Sequence, residues 1–306
     1  MPVLKPLPHI KSKPQPKRLP RVKAMTIAAS FMCSQGAVIC ADTQESVDNY
    51  LKRRVPKIAI RPQEQLAEIV PLRAVFAGAG DSAFIDKLID EMWSAVAGMP
   101  SHSATDIIEA MEDALLTVHE KIWKVYGSSE RPEADLLIGL WAENRIALLK
   151  AQGPILNILT QYDCTGYGQI FARYIVDRLY RPTLSIAQTI LLSLYMLSQV
   201  KEHAEGCGGE SHVVVMSNSG QFGWVHRSDV IDSVRHLRML DSDIGNVLLT
   251  APDLRILDEE FEKRLQDFVS RLRVSRHVHK DASEWSQKVV EKFGNKLTKE
   301  DPEENS

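Results

Sequence analysis

The stretch AMTIAASFMCSQGAVICADTQES, residues 24–46, contains two short apolar runs on either side of a polar turn. The run TIAASFMC begins at Thr26 and the run GAVICADT begins at Gly36, with Ser-Gln-Gly at the junction, which is typical of a β-hairpin. A hairpin of this length returns Asp42 close to Thr26. The stretch therefore has two interpretations. It is either an ordinary hairpin at the edge of a sheet, or a site in which Thr26 is a nucleophile and Asp42 belongs to its surroundings.

The composition is that of a globular chain with no preference for nucleic acid. Its 306 residues are 44% hydrophobic and 25% charged, and the net charge is -3. No apolar run is long enough to span a membrane, and the N-terminus lacks the apolar core of a signal peptide. The cysteines are not at metal or redox spacing, which favours buried, reduced thiols; they are Cys33, Cys40, Cys164 and Cys207. We expect a cytoplasmic protein with no cofactor, no metal, and neither nucleic acid nor membrane as a partner.

The first 24 residues differ from the rest of the chain. They contain six prolines, seven lysines or arginines and no acidic residue. Proline at this density prevents a helix, and the like charges oppose collapse, so we expect residues 1–24 to be a disordered arm. The arm is a propeptide, a partner-binding segment or a targeting tail. Alternatively, it is a plain solvated extension upstream of a start at Met25.

From residue 25 to about residue 230 the pattern alternates between strands and paired helices. Short apolar runs bounded by Gly predict antiparallel strands, and helical spacing over residues 84–92 and 107–122 predicts two helices. Ser185 with Gln188 three residues later predicts a capping box at the start of a later helix. Because each pair of helices covers one sheet, two sheets should face each other with helices outside.

The chain after Val230 is charged, with apolar stripes at helical spacing. We interpret residues 231–295 as a helical extension packed on the domain formed by residues 25–230. Residues 296–306, which end in DPEENS, are expected to be a disordered acidic tail.

Several segments, in order, carry a resemblance to a known family. They are MTIAAS with GAVICADTQ, KIAI, VFAGAGDS, TGYGQIFARYIVDRLYRPTLSIAQT and CGGESHVVVM. Over roughly residues 25–220 the sequence resembles the proteasome β-type family of N-terminal-nucleophile hydrolases, which includes the bacterial proteasome-like proteases. The resemblance implies an α+β fold, namely a four-layer αββα sandwich of two antiparallel sheets. It also implies assembly into a homo-oligomeric ring and threonine peptidase activity.

The resemblance implies roles for three residues in the chemistry. Thr26 would be the nucleophile and its own α-amine the base, because a free α-amine has a pKa near about 8. This requires removal of residues 1–25, either by cleavage after Met25 or by translation from Met25 followed by loss of that methionine. Asp42 would orient a nearby cation and Thr26. Lys57 would lower the pKa of the hydroxyl and of the amine by its charge.

Other roles follow from the same resemblance. Gly78 would donate its backbone N–H to the oxyanion, and substrate would contact Phe76, Ala77 and Gly80.

Two turns depart from the family pattern at positions that normally support the nucleophile. Tyr167 stands where the family has a Ser between two glycines. Cys207 replaces another Ser, and Ala204 replaces an Asp. Glu205 is the nearest carboxylate that could compensate.

Three functions stay open at this point. The first is a threonine-type endopeptidase that cuts peptides or unfolded proteins, with an ATPase unfoldase as a candidate partner. The second is an inactive structural or gating subunit of the same fold. The third is an N-terminal-nucleophile amidohydrolase for small amides, since the chemistry does not require a peptide.

Overall fold

The computed structural model describes residues 26–47, 51–62, 72–99, 103–128, 130–274 and 276. The predicted arm at residues 1–24, the last part of the helical extension and the acidic tail lie outside the described residues. The described part is a mixed α+β fold. Its strands and helices, in chain order, are β1 Ala28–Cys33, β2 Gly36–Asp42, β3 Gln44–Val47, β4 Leu51–Arg54, β5 Ile58–Arg61, β6 Arg73–Gly80, α1 Ser82–Ala97, α2 Ala104–Val125, β7 Ala134–Ala142, β8 Arg145–Gln152, β9 Ile155–Leu159, β10 Tyr162–Thr165, α3 Gln169–Leu179, α4 Ile186–His203, β11 Ser211–Ser217, β12 Phe222–Trp224, α5 Arg227–Thr250 and a sixth helix, α6, at residues 258–274.

The strands form two five-stranded antiparallel sheets and one separate hairpin. The first sheet has the order β10-β1-β2-β11-β12 and the second has the order β5-β6-β7-β8-β9. Strands β3 and β4 pair only with each other in the described part of the chain. The hairpin predicted from the opening stretch is confirmed, since Cys33 pairs with Gly36 and Ala28 pairs with Ala41.

Three apolar cores hold the elements together, because each sheet has apolar residues on both faces. One core joins α1 and α2 to the second sheet, and its large side chains include Phe76, Leu88, Met92, Met111 and Leu136. Another joins α3 and α4 to the first sheet, and includes Ile27, Phe31, Val176, Leu197 and Val213. The third lies between the two sheets, and includes Ile39, Val75, Leu137, Val214 and Met216.

The helix ends follow local chemistry. The carboxylate of Asp81 accepts the N–H of Phe84 at the start of α1. The predicted capping box is confirmed at α4, where the Ser185 hydroxyl accepts the Gln188 N–H and the Gln188 side chain accepts the Ser185 N–H. Helix α5 packs beside α4, and the Tyr195 hydroxyl donates to Asp241 across the pair at 3.1 Å.

In the described ranges, none of the helices combines the length and the apolar character needed to cross a bilayer.

Two strand elements were missed by the sequence analysis. One is the β3–β4 hairpin, whose residues are mostly polar or charged. The other is β10, which pairs with β1 from Thr165 opposite Ala28 to Tyr162 opposite Phe31. Strand β10 matters for the site because it delivers the Gly-Tyr-Gly turn next to Thr26.

Candidate active site

Thr26, Asp42 and Lys57 meet at one point, although they are distant in the sequence. The ammonium group of Lys57 contacts the hydroxyl oxygen of Thr26 and lies 2.6 Å from the Oδ1 atom of Asp42. The same ammonium group donates to the backbone carbonyl of Gln44. The three donors of this lysine therefore meet a hydroxyl, a carboxylate and a carbonyl.

Asp42 is the fully buried anion of this cluster. Its Oδ1 atom accepts the N–H of Ile27 at 3.2 Å and its Oδ2 atom accepts the N–H of Gly208 at 2.8 Å. Burial raises the pKa of the Asp42 carboxyl, and the charge of Lys57 together with these hydrogen bonds opposes that rise. Because the Lys57 side chain is itself only 10% exposed, each charge depends on the other for compensation.

Backbone contacts fix where these residues lie. Thr26 stands two residues before β1, and the hairpin brings back Asp42, whose N–H bonds the carbonyl of Ile27 at 3.1 Å. The N–H of Gly168 donates to the carbonyl of Thr26 at 3.3 Å. Gly166 has φ +99°, and a Cβ atom there would lie 2.3 Å from the same carbonyl oxygen. Glycine is therefore required at 166, both for its backbone conformation and for the close approach.

The residues predicted to serve the oxyanion and the substrate lie along β6. The N–H of Gly78 donates to the carbonyl of Lys57 at 3.2 Å, so the predicted oxyanion role requires this bond to break. Phe76 is fully buried in the core shared with α1 and α2, which does not place it at the surface of a cleft. Ala77 lies in the core between the sheets. Gly80 has φ +139°, and a Cβ atom there would lie 2.2 Å from the carbonyl oxygen of Glu133, so no larger residue fits.

The fold is similar to that of Anbu. The solved structure of Anbu from Yersinia bercovieri, described as an ancestral beta-subunit, superposes with a TM-score of 0.61 at 12% identity, covering 76% of this chain and 100% of that chain. Anbu from Hyphomicrobium sp. strain MC1 superposes with a TM-score of 0.59 at 14% identity, covering 74% of this chain and 98% of that chain. At these identities the similarity shows the fold alone. No protein-family model and no curated protein matches the sequence.

The positions that depart from the family pattern have different surroundings. Tyr167 is 56% exposed between the two glycines that contact Thr26. Cys207 is buried, and its sulfur lies close to Gly168, where a Cβ atom would stand 3.1 Å from it. Burial raises the pKa of this thiol to about 12, with Asp42 adding to the rise and Lys57 opposing it, so the sulfur stays protonated. Glu205 is exposed, and no hydrogen bond or ion pair of its carboxylate is formed within the described residues.

Four further residues contact the cluster and were not predicted. They act through backbone groups, and they are Ile27, Gln44, Gly168 and Gly208. A backbone contact leaves little trace in residue type, because most side chains would serve equally well. The sequence did point toward the two glycines, since they belong to the turns that carry the family resemblance. Gln44 carried none.

Proposed function

We propose that this chain is a proteasome-like N-terminal-nucleophile hydrolase, a four-layer αββα sandwich that cleaves peptide bonds with Thr26 after removal of residues 1–25. The observation that supports this most directly is the Lys57 ammonium group, which contacts both the Thr26 hydroxyl and the Asp42 carboxylate. A buried lysine held between a hydroxyl and a carboxylate is an arrangement for activating that hydroxyl.

The proposed chemistry uses the free amine that processing would create. The α-amine of Thr26 takes the proton of the Thr26 hydroxyl, and the oxygen attacks the carbonyl carbon of the scissile bond. Lys57 stabilises the developing charge on the attacking oxygen, and Asp42 holds the ammonium group of that lysine in place. The intermediate then collapses, the leaving amine takes the proton from the α-ammonium, and the acyl group stays on Thr26 as an ester. Water hydrolyses the ester and restores the hydroxyl.

The oxyanion needs a donor besides this cluster. Since the N–H of Gly78 is bonded to the Lys57 carbonyl, we propose that an incoming substrate displaces this bond. Gly78 is buried on β6 between β5 and β7, and a Cβ atom there would lie 2.9 Å from the Ile85 side chain, so a larger residue at this position would push against helix α1.

The inactive-subunit alternative has a specific observation in its favour. Thr26 is only 4% exposed, and in the uncut chain its nitrogen is an amide that cannot act as a base. The absence of a carboxylate at Ala204 and the exposed position of Glu205 also leave Thr26 with fewer supporting contacts than the family pattern has. An uncut chain would therefore be inert, and processing decides between the two functions.

The decisive experiment compares two chains, one that begins at residue 1 and one that begins at Met25. Intact mass and N-terminal sequencing report whether Thr26 becomes the first residue in each. Hydrolysis of a panel of fluorogenic peptides and small anilides is then measured, together with mass labelling by an epoxyketone inhibitor.

We expect the processed protein to cleave peptides and to be labelled at Thr26. Thr26→Ser should keep activity, whereas Thr26→Ala should keep the fold, measured by circular dichroism, and lose hydrolysis and labelling. Unchanged turnover in the Thr26→Ala variant, or turnover by a chain still carrying its arm, would overturn the proposal. Cleavage of anilides without cleavage of peptides would favour the small-amide function.

Ring assembly, a partner ATPase and a cytoplasmic location remain predictions that follow from the same proposal. Light scattering of the purified protein tests ring assembly, and co-purification tests for a partner ATPase.

A further inference from the structure

A second site is suggested by a groove between the first sheet and helix α5. The groove has a volume of about 880 Å³. Its floor is apolar and includes Val213, Trp224, Val230 and Val234. Trp224 is 40% exposed, although it belongs to a strand, so the floor is open to a ligand.

Positive charge surrounds this apolar floor. The cationic side chains that line the groove are Lys201, Arg227, Arg235 and Arg238, against a single lining carboxylate, Glu210. Glu210 is already shared by two cations, since Arg54 and Arg227 both bind it, at 2.8 and 2.7 Å. The ion pair from Arg235 to Asp232 is long, at 3.6 Å, and exposed. The groove therefore has an excess of positive charge that the described residues do not neutralise.

Lys201 is the most informative of these cations, because it is half-buried. Its ammonium donates to the hydroxyl of Ser211 at 2.7 Å and to the carbonyl of Gly209 at 3.3 Å. Both acceptors are neutral, and no carboxylate oxygen lies within 4.0 Å of this nitrogen in the described part of the chain. Burial lowers the pKa of Lys201, Asp42 raises it, and Arg238 lowers it. A half-buried cation without an ion-pair partner is costly unless an anion binds it.

His212 adds a second polar group without a partner. Its ring packs edge-on against Trp224 with the ring centroids 5.5 Å apart, and its Nδ1 atom is buried without a hydrogen bond among the described residues. Burial lowers the pKa of this histidine, so it is neutral at pH 7 and can donate or accept a hydrogen bond.

The groove lies directly beside the candidate active site. Pro56 and Ile58, on either side of Lys57, line it, as do Gly209 and Ser211. Ser211 is the strand partner of Asp42, and the neighbouring Gly208 donates its N–H to that carboxylate. A ligand in the groove is therefore separated from the catalytic cluster by a single layer of backbone.

We propose that this groove binds the C-terminal carboxylate end of a peptide, with the carboxylate at Lys201 and Arg238 and the preceding apolar side chains on the floor around Trp224. The choice of a peptide rests on the proposed function, because each hydrolysed peptide bond leaves a fragment with a new carboxylate end. The excess of cations selects a negative group, and the apolar floor selects side chains rather than a bare inorganic ion. Bound product would neutralise Lys201 close to Asp42.

The test uses the full chain with Thr26→Ala, so that binding is measured without hydrolysis. A fluorescein-labelled hexapeptide ending in two leucines is titrated by fluorescence anisotropy, in one form with a free C-terminal carboxylate and in another with a C-terminal amide. The two probes differ only in the negative charge that the groove is proposed to bind. We expect the carboxylate form to bind at least tenfold more tightly than the amide.

Matched variants locate the binding. Arg235→Gln with Arg238→Gln should weaken binding of the carboxylate peptide at least tenfold and leave the amide unchanged. Arg264→Gln is the control, since it removes one positive charge from α6, where Arg264 pairs with Glu260 at 2.5 Å outside the groove. It should change the affinity by less than twofold.

Three results would overturn the proposal. They are equal affinity for the acid and the amide, equal weakening by Arg264→Gln, and displacement by octanoate as effective as displacement by an unlabelled peptide acid. The last result would assign the groove to fatty acids. Failure of the proposed function is distinguishable, because it appears as absent turnover with Thr26 present, whereas this test reads binding alone.

Discussion

Replacing Asp42 by Asn tests the electrostatic design of the cluster. Asparagine has almost the same shape as aspartate but carries no charge. The Lys57 ammonium, with a side chain only 10% exposed, would lose its carboxylate partner. In addition, the N–H groups of Ile27 and Gly208 bond different oxygens of Asp42, so one of them would face an NH2 group instead of an acceptor. We expect the folded state to be destabilised while its backbone is retained.

The expected size follows from the burial of the pair. Removing one partner of a buried ion pair costs about 3–5 kcal/mol, because the remaining charge is left uncompensated. Two features place the expected loss of stability for Asp42→Asn near the lower end of this range. The Lys57 ammonium keeps the carbonyl of Gln44 as an acceptor. Burial also raises the pKa of Asp42, which means that the wild-type carboxylate already carries an unfavourable cost that the variant removes. At about 3 kcal/mol and about 2–4 °C per kcal/mol, the Tm should fall by about 6–12 °C.

Thermal unfolding followed by circular dichroism at pH 7 measures this fall. Asp90→Asn is the control, since Asp90 forms an exposed pair with Arg61 at 3.1 Å and its side chain is 68% exposed. Its loss should cost less than about 1 kcal/mol. The double variant Asp42→Asn with Lys57→Met should be less destabilised than the sum of the single variants, because it leaves no lone buried charge. A Tm for Asp42→Asn within 2 °C of wild type, or strict additivity in the double variant, would refute the reasoning.

Three further predictions concern other parts of the fold. Gly166→Ala should abolish hydrolysis, because its Cβ would displace the carbonyl of the candidate nucleophile; Gly153→Ala, with φ +56° and nothing within 4 Å, should cost only about 1–2 kcal/mol in strain and keep activity in the same peptide assay. Burial lowers the pKa of His119 below 6.5, so the unfolded chain binds a proton that the folded chain does not, and stability falls as the pH falls through 6.5. The loss is at most about 1.4 kcal/mol per pH unit, and urea unfolding of His119→Phe at pH 7 and pH 5 should show a smaller difference than wild type; an equal difference would contradict the assignment. Lys150→Met should lower the free energy of urea unfolding by about 1.5 kcal/mol, because it removes a 3.0 Å partner from the buried carboxylate of Asp163 while Arg173 stays paired with it, and a change below about 0.5 kcal/mol would show that the Lys150 pair is not structural.

Sequence analysis predicted best those elements that are determined by residues close together in the sequence. The hairpin around Gly36 and the capping box at Ser185 depend on neighbours in the sequence, and the structure has both. Strand β10 was missed because YDCT alternates between apolar and polar residues over only four positions, and its pairing with β1 joins residues more than 130 positions apart. The pairing of strands so distant in the sequence is determined by tertiary packing, and a local sequence pattern does not predict it.

Part of the candidate site was likewise predicted from the sequence, and part was not. Thr26, Asp42 and Lys57 were singled out by residue type and resemblance, and the structure places them in contact. The hydrogen bond from Gly78 to the Lys57 carbonyl was not foreseen, because a backbone bond of this kind has no side-chain signature. Phe76 was expected to border a pocket, but the alternation of β6 turns it toward α1 and α2. A shift of one residue along a strand reverses the face, and the sequence alone did not determine it.

The position of Lys57 has a consequence for when the protein can act. This lysine directly precedes β5 of the second sheet, whereas Thr26 and Asp42 lie at the ends of β1 and β2 in the first. Neither sheet alone brings the ammonium group to the hydroxyl. For the proposed hydrolase, a nascent chain, or one whose sheets have separated under stress, would therefore not cleave other proteins around it, and activity would begin only once the two sheets have packed together.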